Sequence, residues 1–144
     1  MKHDEFIATV RKRARLTTHE EAERAIKATL ETLAERLTGS EAGDLASQLP
    51  AEIAIFMQPP YAGTQDSFSV DEFFRRVSER ERSSLADAEF HARVVTGLVA
   101  EVVTVGEIED VRAQLPEDFA RLFAVQNEGE IPELGEIADE EELR

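Results

Sequence analysis

The sequence predicts an all-α protein, with two tandem four-helix repeats packed about a pseudo-twofold axis into one compact helical domain. Three observations predict it. An ordered series of residues returns at a nearly constant offset, apolar residues recur every three or four positions, and capping residues, prolines and glycines fall at corresponding places.

The recurrence begins with Asp4-Glu5-Phe6, which returns as Asp71-Glu72-Phe73. Val10, Arg13 and Arg15 then match Val77, Arg80 and Arg82, all 67 positions on. After the next turn the offset is 66. Ala22-Glu23 matches Ala88-Glu89, and Ala34-Glu35 matches Ala100-Glu101. Thr38, Glu41 and Asp44 match Thr104, Glu107 and Asp110, and Gln48-Leu49-Pro50 matches Gln114-Leu115-Pro116. A single length change inside a turn fits a duplication, because turns tolerate it.

Each element follows in order. Phe6, Ile7, Val10 and Ala14 mark the first helix. Thr18 with Glu21 three residues later is a capping-box pattern that opens the second. Ile26, Leu30, Leu33 and Leu37 form its buried seam. Gly39 is expected to end that helix in a left-handed conformation. Ser40 is expected to cap a short third helix bearing Ala42, Leu45 and Leu49. Pro50 suits the first turn of a fourth, Ala51 to Met57, because it has no amide hydrogen to lose there. In the second copy Ser69 with Glu72 and Ser84 with Asp87 open the first two helices. The β-branched run Val102-Val103-Thr104-Val105 reads as a helix end, by its register with Leu37. Gly106 or its neighbours then turn the chain, and Val111, Leu115, Phe119, Leu122 and Phe123 complete the core.

These readings place repeat one at 3–57, a linker at 58–68 and repeat two at 69–125, within a single helical domain of residues 1–125. Pro59, Pro60 and Gly63 forbid a continuous helix in the linker, and Tyr61 and Phe68 are expected to tuck against the body. Residues 126–144 carry eight acidic groups and one basic, and their composition predicts a flexible acidic tail.

Composition removes several function classes. The absence of cysteine excludes disulfides, thiolate metal sites and cysteine nucleophiles. No apolar run approaches a membrane span, and the start lacks the apolar core of a signal peptide. The net charge of −15 disfavours nucleic acid and anionic membrane as partners. The expected location is the cytoplasm.

The opening Asp4-Glu5-Phe6 with Val10, the alanine-rich segment Ala22 to Leu37, and the Leu49-Pro50 and Leu115-Pro116 helix starts carry a resemblance. Over about residues 3–125 the chain resembles the bacterial domain-of-unknown-function family 2267. That resemblance implies an all-helical tandem-repeat protein and supplies no activity, cofactor or site residue.

No pair among His3, His19 and His91 has the spacing of a helical zinc site. Asp87 and His91 share a helical face, and read as a surface ion pair. Glu20/Glu21, Glu41/Asp44, Glu107/Asp110 and Glu117/Asp118 are paired carboxylates at helix starts, where the helix dipole favours them. Glu41/Asp44 and Glu107/Asp110 stand apart because both copies keep them, although shared capping geometry accounts for that equally. Arg11, Lys12, Arg13 and Arg15 read as a solvated helix face paired with acids. No nucleophile elbow, phosphate loop or dinucleotide fingerprint is present.

No catalytic, cofactor-binding or metal-ligating residue is therefore identified, and no cofactor is expected. The leading reading is a non-enzymatic protein-interaction module, with an unknown protein partner or self-association. The alternative is an enzyme or small-ligand carrier with its site at the seam between the repeats, built from equivalent residues such as Glu41 and Glu107. A DNA regulator is weaker, because Ala51 to Met57 offers no Arg or Lys to phosphate or guanine.

Overall fold

The structure is a computed structural model that describes residues 1–123. Among these residues it is all helical, with no strand. The elements are α1 (His3–Arg13), α2 (His19–Arg36), α3 (Gly39–Ala46), α4 (Ala51–Ala54) with a 3-10 turn (Ile55–Met57), α5 (Val70–Glu81), α6 (Leu85–Val102), α7 (Val105–Ala113), then a 3-10 turn (Glu117–Phe119) and α8 (Ala120–Phe123). The segment read as a tail, 126–144, lies outside the described residues.

Local chemistry sets the boundaries. Thr18 makes the full capping box: its hydroxyl accepts from the Glu21 amide, and Glu21 Oε1 accepts from the Thr17 and Thr18 amides. Ser69 and Ser84 accept from the amides of Glu72 and Asp87. Arg15 and Arg82 both adopt left-handed conformations, with φ of 58° and 62°, and stop α1 and α5. Leu49-Pro50 and Leu115-Pro116 both lie just outside a helix end and lead into the next helical turn.

Gly39 corrects one expectation. It is the first residue of α3 and does not end α2 in a left-handed turn. Leu37 ends α2 in extended backbone, and Thr38, not Ser40, caps α3 through a bond from the Glu41 amide. A threonine hydroxyl one residue beyond the extended position needs no glycine to reverse the chain. Thr104 acts in the same way on α7, so Gly106 lies inside that helix and turns nothing. Val102 closes α6 and Val103 is extended, so the β-branched run forms no strand.

The buried apolar side chains form one cluster drawn from every helix described. Helix α2 packs on α1, α5 and α6. Ile26, Leu30, Leu33 and Leu37 are buried as its periodicity predicts. Phe73 sits edge-on to Phe74 and to Phe119, with centroids 5.9 and 5.7 Å apart. Phe68 is buried and Tyr61 half-buried, as expected of the linker aromatics. Arg76 stacks 4.0 Å over the Phe68 ring, and Arg36 Nε donates to the Phe68 carbonyl. Thr96 stands at the position matching Leu30. Its hydroxyl lies within hydrogen-bonding distance of the carbonyls of Ala92, Arg93 and Leu122, which ties α6 to α8 at a position where α2 carries an apolar side chain.

Candidate functional site

Two Thr-x-x-Glu starts, Thr38 to Glu41 and Thr104 to Glu107, face each other where α3 packs on α7. A Thr-x-x-Glu start can close as Thr18 does, with the glutamate reaching back to its own cap amide. Neither does. The Thr38 amide donates instead to Oε1 of Gln114 at 3.1 Å, and Gln114 Nε2 donates to the Thr38 hydroxyl at 3.3 Å. Reciprocally, the Thr104 amide donates to Oε1 of Gln48 at 2.8 Å. Each glutamine crosses the seam and takes the place that a capping-box glutamate would fill.

The displaced carboxylates turn into the seam. Glu41 and Glu107 are each only 7% exposed, and Oε2 of each is buried without a hydrogen-bond partner among the described residues. One carboxylate oxygen from each of Glu41, Asp44 and Glu107 lies within 4.8 Å of the other two. Asp44 and Asp110 are exposed and open the cluster to solvent. The Glu107 carboxyl is pushed up to about 7. Burial is the largest cause, followed by a hydrogen bond to Glu41 that only the protonated carboxyl can make and the charges of Glu41, Asp44 and Asp110. Glu21, in the same motif but capping its own helix, moves the other way, because the Thr17 and Thr18 amides lower its pKa. One motif thus yields a satisfied anion at α2 and an unsatisfied pair at the seam.

The family described as Uncharacterized conserved protein (DUF2267) matches residues 3–122. The chain belongs to the DUF2267 family. The match spans all of the seam residues of this DUF2267 protein. Among curated proteins none matches the chain.

Other sequence candidates of this DUF2267 chain resolve into structural roles. His91 is buried and its Nδ1 pairs with Glu81 Oε2, not with Asp87. Asp87 is exposed and serves at the α6 start, so the expected Asp87–His91 surface pair is corrected. Glu81 was not a candidate, since ten residues and a turn separate it from His91. Arg13 makes a two-pronged ion pair with Glu101 at 2.7 and 3.1 Å, in keeping with a basic face answered by acids. Asp118 accepts from the Val70 amide and Arg121 pairs with Asp71, so the segment that leads into α8 is pinned to the start of α5. No helix among the described residues is long and apolar enough to cross a membrane.

Proposed function

We propose that the protein is a non-enzymatic binding module whose ligand site is the carboxylate seam between α3 and α7. The carrying observation is the pair of buried carboxylate oxygens, on Glu41 and Glu107, that have no hydrogen-bond partner among the described residues when both groups are ionised. Leaving a buried acceptor unpaired costs about 1–3 kcal/mol, and more when it is charged. A fold that merely needed capped helices has the cheaper Thr18–Glu21 arrangement already in its own sequence. Cost retained at one place is what a binding site shows.

In this reading residues 1–125 are one domain of two four-helix repeats, and the seam straddles their pseudo-twofold axis. The reciprocal glutamine caps, the matched left-handed arginines and the equal lengths of α2 and α6, 18 residues each, support that arrangement. A positively charged ligand at the seam would relieve repulsion between the repeats and tighten them together. An interaction module working through an apolar groove has less support. The large apolar side chains exposed among the described residues, Met1, Ile55, Leu85 and Val105, sit on separate elements.

The test is the thermal midpoint of Glu107→Gln in chelator at pH 8. The amide removes a charge from the unsatisfied pair, so the variant should melt above the parent. A midpoint several degrees below the parent would mean that Glu107 supports the fold, and would end the binding-site reading.

A further inference from the structure

We propose that Glu41, Asp44 and Glu107 hold a hard divalent cation at the seam, a proposal that rests on the seam being a ligand site. The cluster's acidity alone would not carry this. The carrying feature is that Glu41 and Glu107 are both more than nine-tenths buried, each with an Oε2 that, in the ionised pair, has no hydrogen-bond partner among the described residues.

Geometry narrows the ligand. Three oxygens no more than 4.8 Å apart enclose a point at most about 2.8 Å from each. Calcium bonds to oxygen at about 2.3–2.6 Å, and magnesium at about 2.1 Å, so closure of the side chains by a few tenths of an ångström supplies three ligands, with water left to fill the remaining positions. The donors are all carboxylate oxygens, with no imidazole or thiolate, which selects calcium, magnesium or manganese over softer metals. Exposed Asp44 and Asp110 give an entry path and room for water ligands, and Asp110 adds a fourth negative charge facing Glu107.

The neighbouring bonds fix the donors in place. Thr38 and Thr104 hold the amides of Glu41 and Glu107 at 3.1 and 3.2 Å, which sets where each side chain begins. Gln114 and Gln48 occupy the cap amides that would otherwise draw the carboxylates away. The set therefore spans both helices, with Glu41 and Asp44 on α3 and Glu107 on α7.

The experiment is a melt of the full chain at pH 8, after chelation, in CaCl2, MgCl2 or MnCl2, against KCl of equal ionic strength. At saturating levels at least one divalent salt should raise the midpoint by about 5 °C over KCl. Asp44→Asn, an exposed change that spares the core, should weaken the response at least about tenfold in concentration. Glu41→Gln/Glu107→Gln should abolish it. Equal responses in the parent and the double variant would assign the effect to diffuse surface charge and overturn the proposal, as would no divalent response in the parent. If Glu107→Gln stabilises the chelated protein while divalent salts do nothing, the seam reading stands and the cation is refuted. If Glu107→Gln destabilises it, the seam reading itself has failed.

Discussion

Arg15 and Arg82 show what a single residue discloses. A left-handed conformation costs a side chain-bearing residue roughly 1–2 kcal/mol, and glycine avoids that cost. Arg82→Gly should accordingly stabilise the protein by about 0.5–1 kcal/mol in urea unfolding, since part of the gain is lost to the freer unfolded chain. A destabilised variant would show that the Arg82 side chain matters more than its backbone. Titration works at the same scale. The Glu107 carboxyl, raised from 4.5 to about 7 in the fold, binds its proton more tightly there than in the unfolded chain. Its contribution to stability is full below about pH 4.5, is lost as pH rises through about 7, and is flat above. Glu72, lowered to about 2 by Arg75 and Arg76, works in the opposite direction, its contribution being lost as pH falls from about 4.5 toward 2. In chelator the midpoint of the parent should decline between pH 5 and 7, and Glu107→Gln should reduce that decline. An identical decline in the variant would remove Glu107 as its source. His91 carries a sharper expectation, because truncating it removes the buried partner of Glu81 Oε2. His91→Ala should cost about 1–3 kcal/mol by denaturant unfolding, and a cost below about 0.5 kcal/mol would place Glu81 in contact with water.

At the scale of elements, the crossing glutamines decide the site. Removing the Gln114 side chain frees the Thr38 amide, so Gln114→Ala should speed hydrogen exchange at Thr38 while leaving Thr104 protected. The reverse holds for Gln48→Ala. Unchanged exchange at Thr38 would show that Glu41 swings back to cap its own helix. This is also where legibility in the sequence ended. The periodicity of α2, the Thr18 capping box and the helix breaks at Pro50 and Pro116 are local signals, and the structure shows each in place. Glu41 and Glu107 stood out because both copies keep them, but capping was an equally good account of their spacing. Choosing between the two needs the knowledge that Gln114 reaches Thr38 across 76 positions, a contact that no local pattern carries. The Gln-Leu-Pro match was visible, and what its glutamine does was not. The Glu81–His91 pair was missed for the same reason, because helix-face spacing pointed to Asp87. Gly39 misled through a preference for glycine at helix ends, where Thr38 had already supplied a start.

At the scale of the whole molecule, α2 and its packing on α1, α5 and α6 hold the core together. Leu33 and Val99 are each about 1% exposed at matching positions. Leu33→Ala should cost about 2–5 kcal/mol, and Val99→Ala less because fewer methyl groups are removed. Both should shift one shared unfolding transition. Two separable transitions would show that residues 3–57 and 69–125 are independent units. Stability gained in that core is, in this account, partly surrendered at the seam, where two carboxylates oppose each other so that a ligand can relieve them. The most direct measurement is a double-mutant cycle on Glu41 and Glu107 in chelator at pH 8, by urea unfolding of the parent, Glu41→Gln, Glu107→Gln and the pair. Each single change should stabilise. The double change should gain less than the sum of the two by at least about 0.5 kcal/mol, the mark of a repulsion that either substitution relieves. Single changes that destabilise, or effects that simply add, would contradict a repulsive pair built into the seam.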